Sequence, residues 1–326
     1  LERLKQVTFN LEHCLLVTCD VESMYTNINN TDGLKTVEFF LNKHPDAKRP
    51  DGYILELLNI SLLNNDFLFN GSFWLQKSGT AMGKIFAPSY ANLFMAKIEE
   101  DFFQSINFRP PFYVRFLDDI FFLWTDSMDR LSTFLKLFNN FHSSIKLTHN
   151  ISQSEIEFLD ICIYKHITHN SVSLGTRVHF KPTNTHRLLH KHSFHPKHTF
   201  AGIVKGQLIR FHRLCSDIND FHKASFILFK ELRNMGYSIR FLYNIKQQLM
   251  TALRSDPNFL KHPAKKHDGL TLIPLVHTYH HASQYICRSL IYQLRLLDFV
   301  PFKDCLLLKA CRRNKNLADL LVRNKI

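Results

Sequence analysis

Apolar residues in this chain gather into short runs and helical stripes, divided by Gly, Pro and Asn signals. Residues 14–20 read as a buried strand that ends on Asp20. Residues 31–44 and 51–64 carry helical spacing. Between 67 and 75, two aromatic-rich stretches flank Asn70-Gly71, a strong short-range signal for a hairpin. Gly79-Thr80-Ala81-Met82-Gly83 reads as a flexible loop, and a helix follows from about Pro88 to Phe103 with its proline near the first turn. Residues 112–117 and 119–124 read as two short strands. Met128, Leu131, Phe134, Leu135, Phe138 and Phe141 make residues 128–142 helical, and 145–149 and 156–164 read as further strands.

Without the two early helices and the first hairpin, the order is β-α-β-β-α-β. That order predicts an α+β fold, a split sheet with helices on one face, whose first strand and central hairpin lie side by side. Past residue 180 the pattern changes. A Lys/His-rich stretch over 181–213 precedes helices near 203–215, 221–234 and 238–253. A polar linker over 255–269 carries Pro257, Pro263 and Gly269, residues 280–297 read as helical, and the end is basic. The chain therefore reads as two parts, 1–180 and a mostly α-helical basic 181–326.

Charge sharpens that division. Of the 41 Lys/Arg and 28 Asp/Glu, residues 1–160 hold 14 and 20, leaving the remainder strongly basic; 15 of the 19 histidines are also past residue 160. An acidic front and a basic back fit a metal-binding catalytic unit joined to a polyanion-binding unit. No uncharged apolar stretch reaches about 18 residues, so no transmembrane helix is expected. No signal peptide is evident, and an opening on Leu1 rather than Met is expected of a fragment. Seven cysteines without a C-x-x-C pair read as reduced intracellular thiols.

Asp118 and Asp119 stand inside an apolar run, Phe116 to Trp124, and Asp20 closes another. Ionised carboxylates are costly among buried strands unless something compensates their charge. A divalent metal is an economical compensator, with oxygen ligands from a few carboxylates and substrate phosphates. Two such ions, about 3.5–4 Å apart, neutralise both sides of an in-line phosphoryl transfer. The plainer alternative is an Asp-Asp turn at a solvent-facing hairpin tip.

The surrounding motifs resemble those of Penelope-like retroelement reverse transcriptases. Asp20-Val21-Glu22-Ser23-Met24-Tyr25-Thr26-Asn27-Ile28 resembles motif A of that family. Gly79 to Gly83 with Phe86 to Met95 resembles motif B, Phe116-Leu117-Asp118-Asp119 motif C, and Glu157-Phe158-Leu159-Asp160-Ile161 the primer-grip hairpin, motif E. Lys181 to Thr185, Ser193 to His198 and Arg210 to Ser216 are similar to the family's thumb, and Arg312 to Arg323 to its closing segment. The likeness runs in order along essentially the whole chain.

The resemblance implies a polymerase palm with a remnant of fingers, then a helical thumb. It implies RNA-directed DNA polymerase activity, with Asp20, Asp118, Asp119 and the Val21 carbonyl around two Mg²⁺ ions, Mn²⁺ being an alternative. Met24, Tyr25, Met82 and Gly83 would border the nucleotide, Tyr25 as a steric gate that favours deoxynucleotides and disfavours the reading as an RNA-dependent RNA polymerase. Lys181, Arg187, His195, His198, Arg210 and Arg213 would contact nucleic acid. An RNA template, a DNA primer and deoxynucleoside triphosphates would be the partners, with no membrane, in the nucleus rather than the cytoplasm.

Lys84 stands where the family carries a small hydroxyl residue, and Phe116 replaces the commoner Tyr. Lys146 is either a general acid for pyrophosphate or an exposed strand lysine. His190, His192, His195 and His198 make a zinc site conceivable, with backbone or phosphate contact the favoured reading. Motif A begins only 20 residues in, so most of the fingers are expected to be missing, and no Gly-Ile-Tyr pair marks a GIY-YIG endonuclease. The alternative is thus a truncated, catalytically inactive nucleic-acid-binding remnant.

Overall fold

In the computed structural model the chain divides into two compact units, Leu1–Lys181 and Pro182–Ile326. The structure describes residues 2–7, 11–168, 171–256, 259, 271–280, 283–296 and 305–312. The first unit runs α1 (Glu2–Lys5), β1 (Leu15–Val21), α2 (Met24–Asn27), α3 (Asn30–Lys43), α4 (Asp51–Leu63), β2 (Asp66–Phe69) and β3 (Ser72–Leu75). It continues with α5 (Ala87–Ile106), β4 (Phe112–Phe116), β5 (Asp119–Trp124), α6 (Met128–Phe141), β6 (Leu147–Ser152), β7 (Glu155–Phe158), β8 (Ile161–Thr168) and β9 (Ser171–Val178).

The central sheet has the order β4-β5-β1-β6, and every neighbouring pair is antiparallel. The expected β-α-β-β-α-β arrangement is present, with β1 between the second hairpin strand and the last strand. Alternation sets its two faces. Leu15, Val17, Cys19 and Val21 share a core with Ile120, Phe122 and Trp124 and with the buried faces of α5 and α6. There the rings of Phe102 and Phe138 stack with centroids 4.3 Å apart, an arrangement worth ~0.5–1.5 kcal/mol beyond burial itself. On the opposite face, Leu16 and Leu123 are also fully buried, and the Phe121 ring lies 5.6 Å from that of Phe158 on β7. Cover on both faces explains why residues 14–19 read as a nearly continuous apolar run instead of alternating.

Local signals fix the element ends. The Asn29 side chain accepts from the Thr31 and Asp32 amides to cap α3, and Ser127 caps α6 through Arg130. Asn70 and Gly71 both have positive φ, 49° and 76°, as a two-residue hairpin turn requires. One expectation needs correction: residues 156–164 are not a single strand. They fold as β7 and β8, part of a three-stranded sheet β7-β8-β9, broken at Leu159 with φ of 54°. The same three residue types, Phe-Leu-Asp, make the turn at 116–118, where Leu117 also has φ of 54°.

The second unit contains α7 (Lys197–Leu214), α8 (Ile218–Asn234), α9 (Ile239–Ser255), β10 (Thr271–Thr278), α10 (Ser283–Leu296) and β11 (Cys305–Arg312). Its helices match the expected positions, and Asp217 and Ser238 cap α8 and α9. The parallel pairing of β10 with β11 was not legible in the sequence. Residues 188–191 are strapped onto the helices: the Tyr237 hydroxyl donates to the Leu189 carbonyl at 2.9 Å, and the Lys191 amide to the Met235 carbonyl at 2.9 Å. The Lys191 ammonium sits 4.5 Å from the Phe200 ring and 4.4 Å from that of Phe241, a pair of cation–π contacts each worth ~0.5–2 kcal/mol. Burial, and then Lys197, lowers its pKa. Part of the Lys/His-rich stretch therefore has a structural role. Most of the linker over 255–269 and the closing segment past Arg312 lie outside the described residues. Among the described residues, no helix is long and apolar enough to cross a membrane.

Candidate active site

Strand register brings the acidic residues together. Asp20 and Asp119 are direct partners in the β1–β5 pairing, and Asp118 occupies the turn that precedes β5. The Val21 amide donates to the Asp118 carbonyl at 3.1 Å, tying the turn to the end of β1. Asp20 and Asp119 lie on the sheet face away from α5 and α6, by the same alternation that sends Cys19 and Ile120 into the core.

The turn is what lets two adjacent aspartates serve one place. Phe116 pairs with Asp119, so only Leu117 and Asp118 lie between the strands. Leu117 adopts a left-handed conformation that costs a residue with a Cβ ~1–2 kcal/mol. Strain of this kind persists only where the surrounding contacts impose it.

The electrostatics of the three carboxylates are unfavourable on their own. Burial, then Asp118, then Glu22, raise the Asp20 pKa. Burial, then Asp118 and Asp20, raise that of Asp119, with Lys181 opposing. Each shift records a cost of keeping negative charge there, which a cation would relieve. Among the described residues, no three His, Cys, Asp or Glu side chains form a ready metal cage. Mg²⁺ does not need one, since it keeps water and substrate phosphates as ligands beside one or two carboxylates. The donor set, carboxylates beside the Val21 backbone, fits such an ion in hardness and charge.

Tyr25 belongs to this locus. Burial, and then Asp118, raise its phenol pKa. Its position follows from the tight exit of β1: the Glu22 amide donates to the Lys146 carbonyl at 2.8 Å, Ser23 turns at φ of 47°, and α2 begins. The Asn27 amide group donates to the Glu22 carbonyl at 3.0 Å and closes the turn. Met24 is 2% exposed and packs in the core, so it offers no side-chain surface to a ligand.

The loop over 79–83 docks on α2 through its backbone. The Gly79 amide donates to the Ile28 carbonyl at 3.0 Å and the Thr80 amide to the Tyr25 carbonyl at 2.8 Å. A Cβ on Gly79 would lie 2.4 Å from the Tyr25 carbonyl oxygen, so the steric demand for glycine falls here. At Gly83, expected to border the nucleotide, a Cβ would meet no protein atom within 4 Å. Met82 is exposed beside it, and Lys84 is half-buried. The Lys146 ammonium donates to the Asn139 carbonyl at 3.0 Å, and Phe116 is exposed.

Lys181 lies near enough to Asp119 to favour its ionised form. Arg187, His195, His198, Arg210 and Arg213 belong to the second unit. His198 is in the first turn of α7 and Arg213 in its last, and both are exposed. The rings of His190 and His192 lie 5.4 Å apart, and no metal-holding group of three side chains forms among the described residues.

The sequence profile described as "Reverse transcriptase (RNA-dependent DNA polymerase)" matches residues 2–179. A second, "Animal helix-turn-helix domain", matches residues 187–247, the segment that holds the Lys191 strap, α7, α8 and half of α9. Apolar spacing marks these helices, but no local motif marks that relationship. Among curated proteins, none matches the chain. Telomerase from Candida albicans, solved with a fragment of telomeric RNA, is similar with a TM-score of 0.54 and 11% identity over 75% of this chain and 46% of that one. Apo telomerase from Candida tropicalis is similar with a TM-score of 0.45 and 9% identity, over 79% and 44% of the two chains. The first of these likenesses shows a shared fold; the chain spans less than half the length of the telomerases it matches.

Proposed function

Because the chain belongs to the reverse transcriptase (RNA-dependent DNA polymerase) family, we propose that it carries the catalytic core for RNA-templated DNA synthesis in a Penelope-like retroelement. The observation that carries this reading is the direct pairing of Asp20 with Asp119 beside Asp118. The finer assignment to Penelope-like elements rests on the order and spacing of the motifs from Asp20 to Asp160. Asp20, Asp118 and Asp119, with the Val21 carbonyl, would hold two Mg²⁺ ions. When bound, such ions supply charge neutralisation at the reacting phosphate and favour ionisation of the attacking hydroxyl.

The remaining work falls to the chain's own groups. Tyr25 places an aromatic body next to the carboxylates, where a ribose 2′-hydroxyl would collide with it. The loop over 79–83 is hydrogen-bonded to the Tyr25 and Ile28 carbonyls and would border the nucleotide with Tyr25. Lys181 from the first unit, and Arg187, His195, His198, Arg210 and Arg213 from the second, would contact the template and primer backbones, which need many cationic partners. The helix-turn-helix match over α7 and α8 supports a nucleic-acid role for the second unit.

The test is primer extension on an RNA template with Mg²⁺ and deoxynucleotides. Extension supports the reading. Salt-sensitive binding without extension would favour a non-catalytic remnant, and a preference for ribonucleotides would favour an RNA-dependent RNA polymerase. Tyr25→Val should leave deoxynucleotide use largely intact and reduce discrimination against ribonucleotides by ~10–200-fold, the worth of a steric feature of this size. Competition between matched deoxy- and ribonucleotides measures it. Unchanged discrimination would remove Tyr25 from the gate.

A further inference from the structure

The turn that carries Asp118 is held from both sides, once by a backbone amide and once by a side chain. The Asp118 carbonyl accepts the Val21 amide at 3.1 Å. The peptide on the other side of Asp118 begins with the Leu117 carbonyl, which accepts from Nη1 of Arg115 at 3.0 Å. Arg115 is three residues from Asp118, in β4, and its side chain is only 10% exposed.

Its guanidinium is fixed on three further sides. Nε donates to the Glu99 carboxylate at 2.8 Å, Nη1 also donates to the Asn92 side-chain oxygen at 2.9 Å, and Nη2 donates to the Asn92 carbonyl at 3.3 Å. Glu99 is in turn held by the Tyr113 hydroxyl at 2.7 Å. Glu99 and Asn92 both belong to α5, the helix that follows the loop docked on Tyr25. A planar fork with five donors can serve all these acceptors together; a lysine ammonium on a flexible stem cannot.

We propose that Arg115 is a positioning residue for the reaction, which sets the peptide between Leu117 and Asp118 and thereby the direction of the Asp118 carboxylate. Fixing the Leu117 carbonyl fixes the plane of that peptide, and the Val21 contact fixes the next one. With both planes set, the Asp118 side chain leaves the backbone in one direction. The left-handed Leu117 needs such a hold, because the turn would relax without it. Arg115 thus couples α5 to the carboxylate pair. The role in catalysis rests on the polymerase reading; the clamp itself does not.

Two measurements on the full chain test it: amide hydrogen exchange resolved at Val21, and steady-state primer extension. In Arg115→Met, Val21 exchange should rise at least tenfold while Leu16 to Thr18 stay within twofold. In the same variant kcat should fall tenfold or more, with KM for the nucleotide changed less than threefold. Arg115→Lys, which keeps the charge beside Glu99, should behave like Arg115→Met. Restoration of both readouts by Lys would overturn the proposal, since a plain ion pair would then account for Arg115. So would Val21 protection unchanged in Arg115→Met. If Arg115→Met loses protection throughout the first unit, Asn92→Ala decides the matter: selective loss at Val21 supports the clamp, and unchanged protection there overturns it. Absence of extension by the unaltered chain would remove the polymerase reading alone, and Val21 exchange would still judge the clamp.

Discussion

Asp118→Asn is expected to lower primer extension by ~10²–10³-fold or more, the scale for removing one preorganised electrostatic group from a reacting centre. The same change should leave the melting temperature in chelator unchanged or slightly raised. Both outcomes have one cause. Asp118 raises the pKa values of Asp20 and Asp119, so its negative charge opposes folding when no cation is present. Asparagine keeps the shape and removes the repulsion. Divalent cations should then distinguish the two proteins. A ligand that binds only the folded state at about five times its Kd adds ~1 kcal/mol of stability. Wild type should gain that margin in Mg²⁺ or Mn²⁺, and Asp118→Asn should gain less. Thermal melts with and without the ion, beside extension assays, check both halves. Full activity in the variant would take Asp118 out of the chemistry.

Gly79→Ala should be strongly destabilising for so small a substitution. The residue has φ of 71°, in the left-handed region. Its added Cβ would lie 2.4 Å from the Tyr25 carbonyl oxygen and 2.6 Å from the Thr26 Cα and carbonyl oxygen. All three are backbone atoms, so no side-chain rotation relieves the clash. The left-handed strain alone costs ~1–2 kcal/mol. Displacing the loop would also break the Gly79 and Thr80 amide bonds to α2, each worth ~0.5–1.5 kcal/mol. A loss of about 2–4 kcal/mol lowers the melting temperature of a unit this size by roughly 5–15 °C. Because α2 carries Tyr25, nucleotide discrimination should weaken with it. Gly83→Ala is the control for stability alone: no protein atom crowds that position, and surface changes of this kind stay within about 0.5 kcal/mol. Equal losses of melting temperature at the two glycines would show that the clash at Gly79 does not hold the loop.

The sheet and its helices were legible because their signals are local. The strand of residues 14–20, the Asn70-Gly71 hairpin, the apolar stripe of α6 and Pro88 near the start of α5 each lie within one short window. The meeting of Asp20 with the Asp pair was legible only through topology, since no local signal spans 98 residues. What remained hidden was of two kinds. Leucine gives no sign that it will adopt positive φ, so the residue pattern alone ran 156–164 together as one strand where the motif E resemblance implied a hairpin, and Leu117 concealed the strain under Asp118. Contacts between distant side chains and backbone carry no periodicity either. Gly79 against Tyr25, Arg115 with Asn92 and Glu99, and Lys191 among Phe200, Tyr237 and Phe241 are all of that type. The pairing of β10 with β11 joins segments about 30 residues apart in a basic region whose helical signals dominate, and parallel strands announce themselves weakly when short.

A Mn²⁺-binding double-mutant cycle over Asp20 and Asp118, read by electron paramagnetic resonance on the full chain, is the most direct probe of the shared acidic locus. Either Asn substitution should weaken Mn²⁺ binding at least tenfold, and the double variant should be little worse than either single, because both remove the same site. Binding that survives Asp20→Asn intact, or losses that simply add, would mean the two carboxylates serve different places and would contradict the polymerase centre.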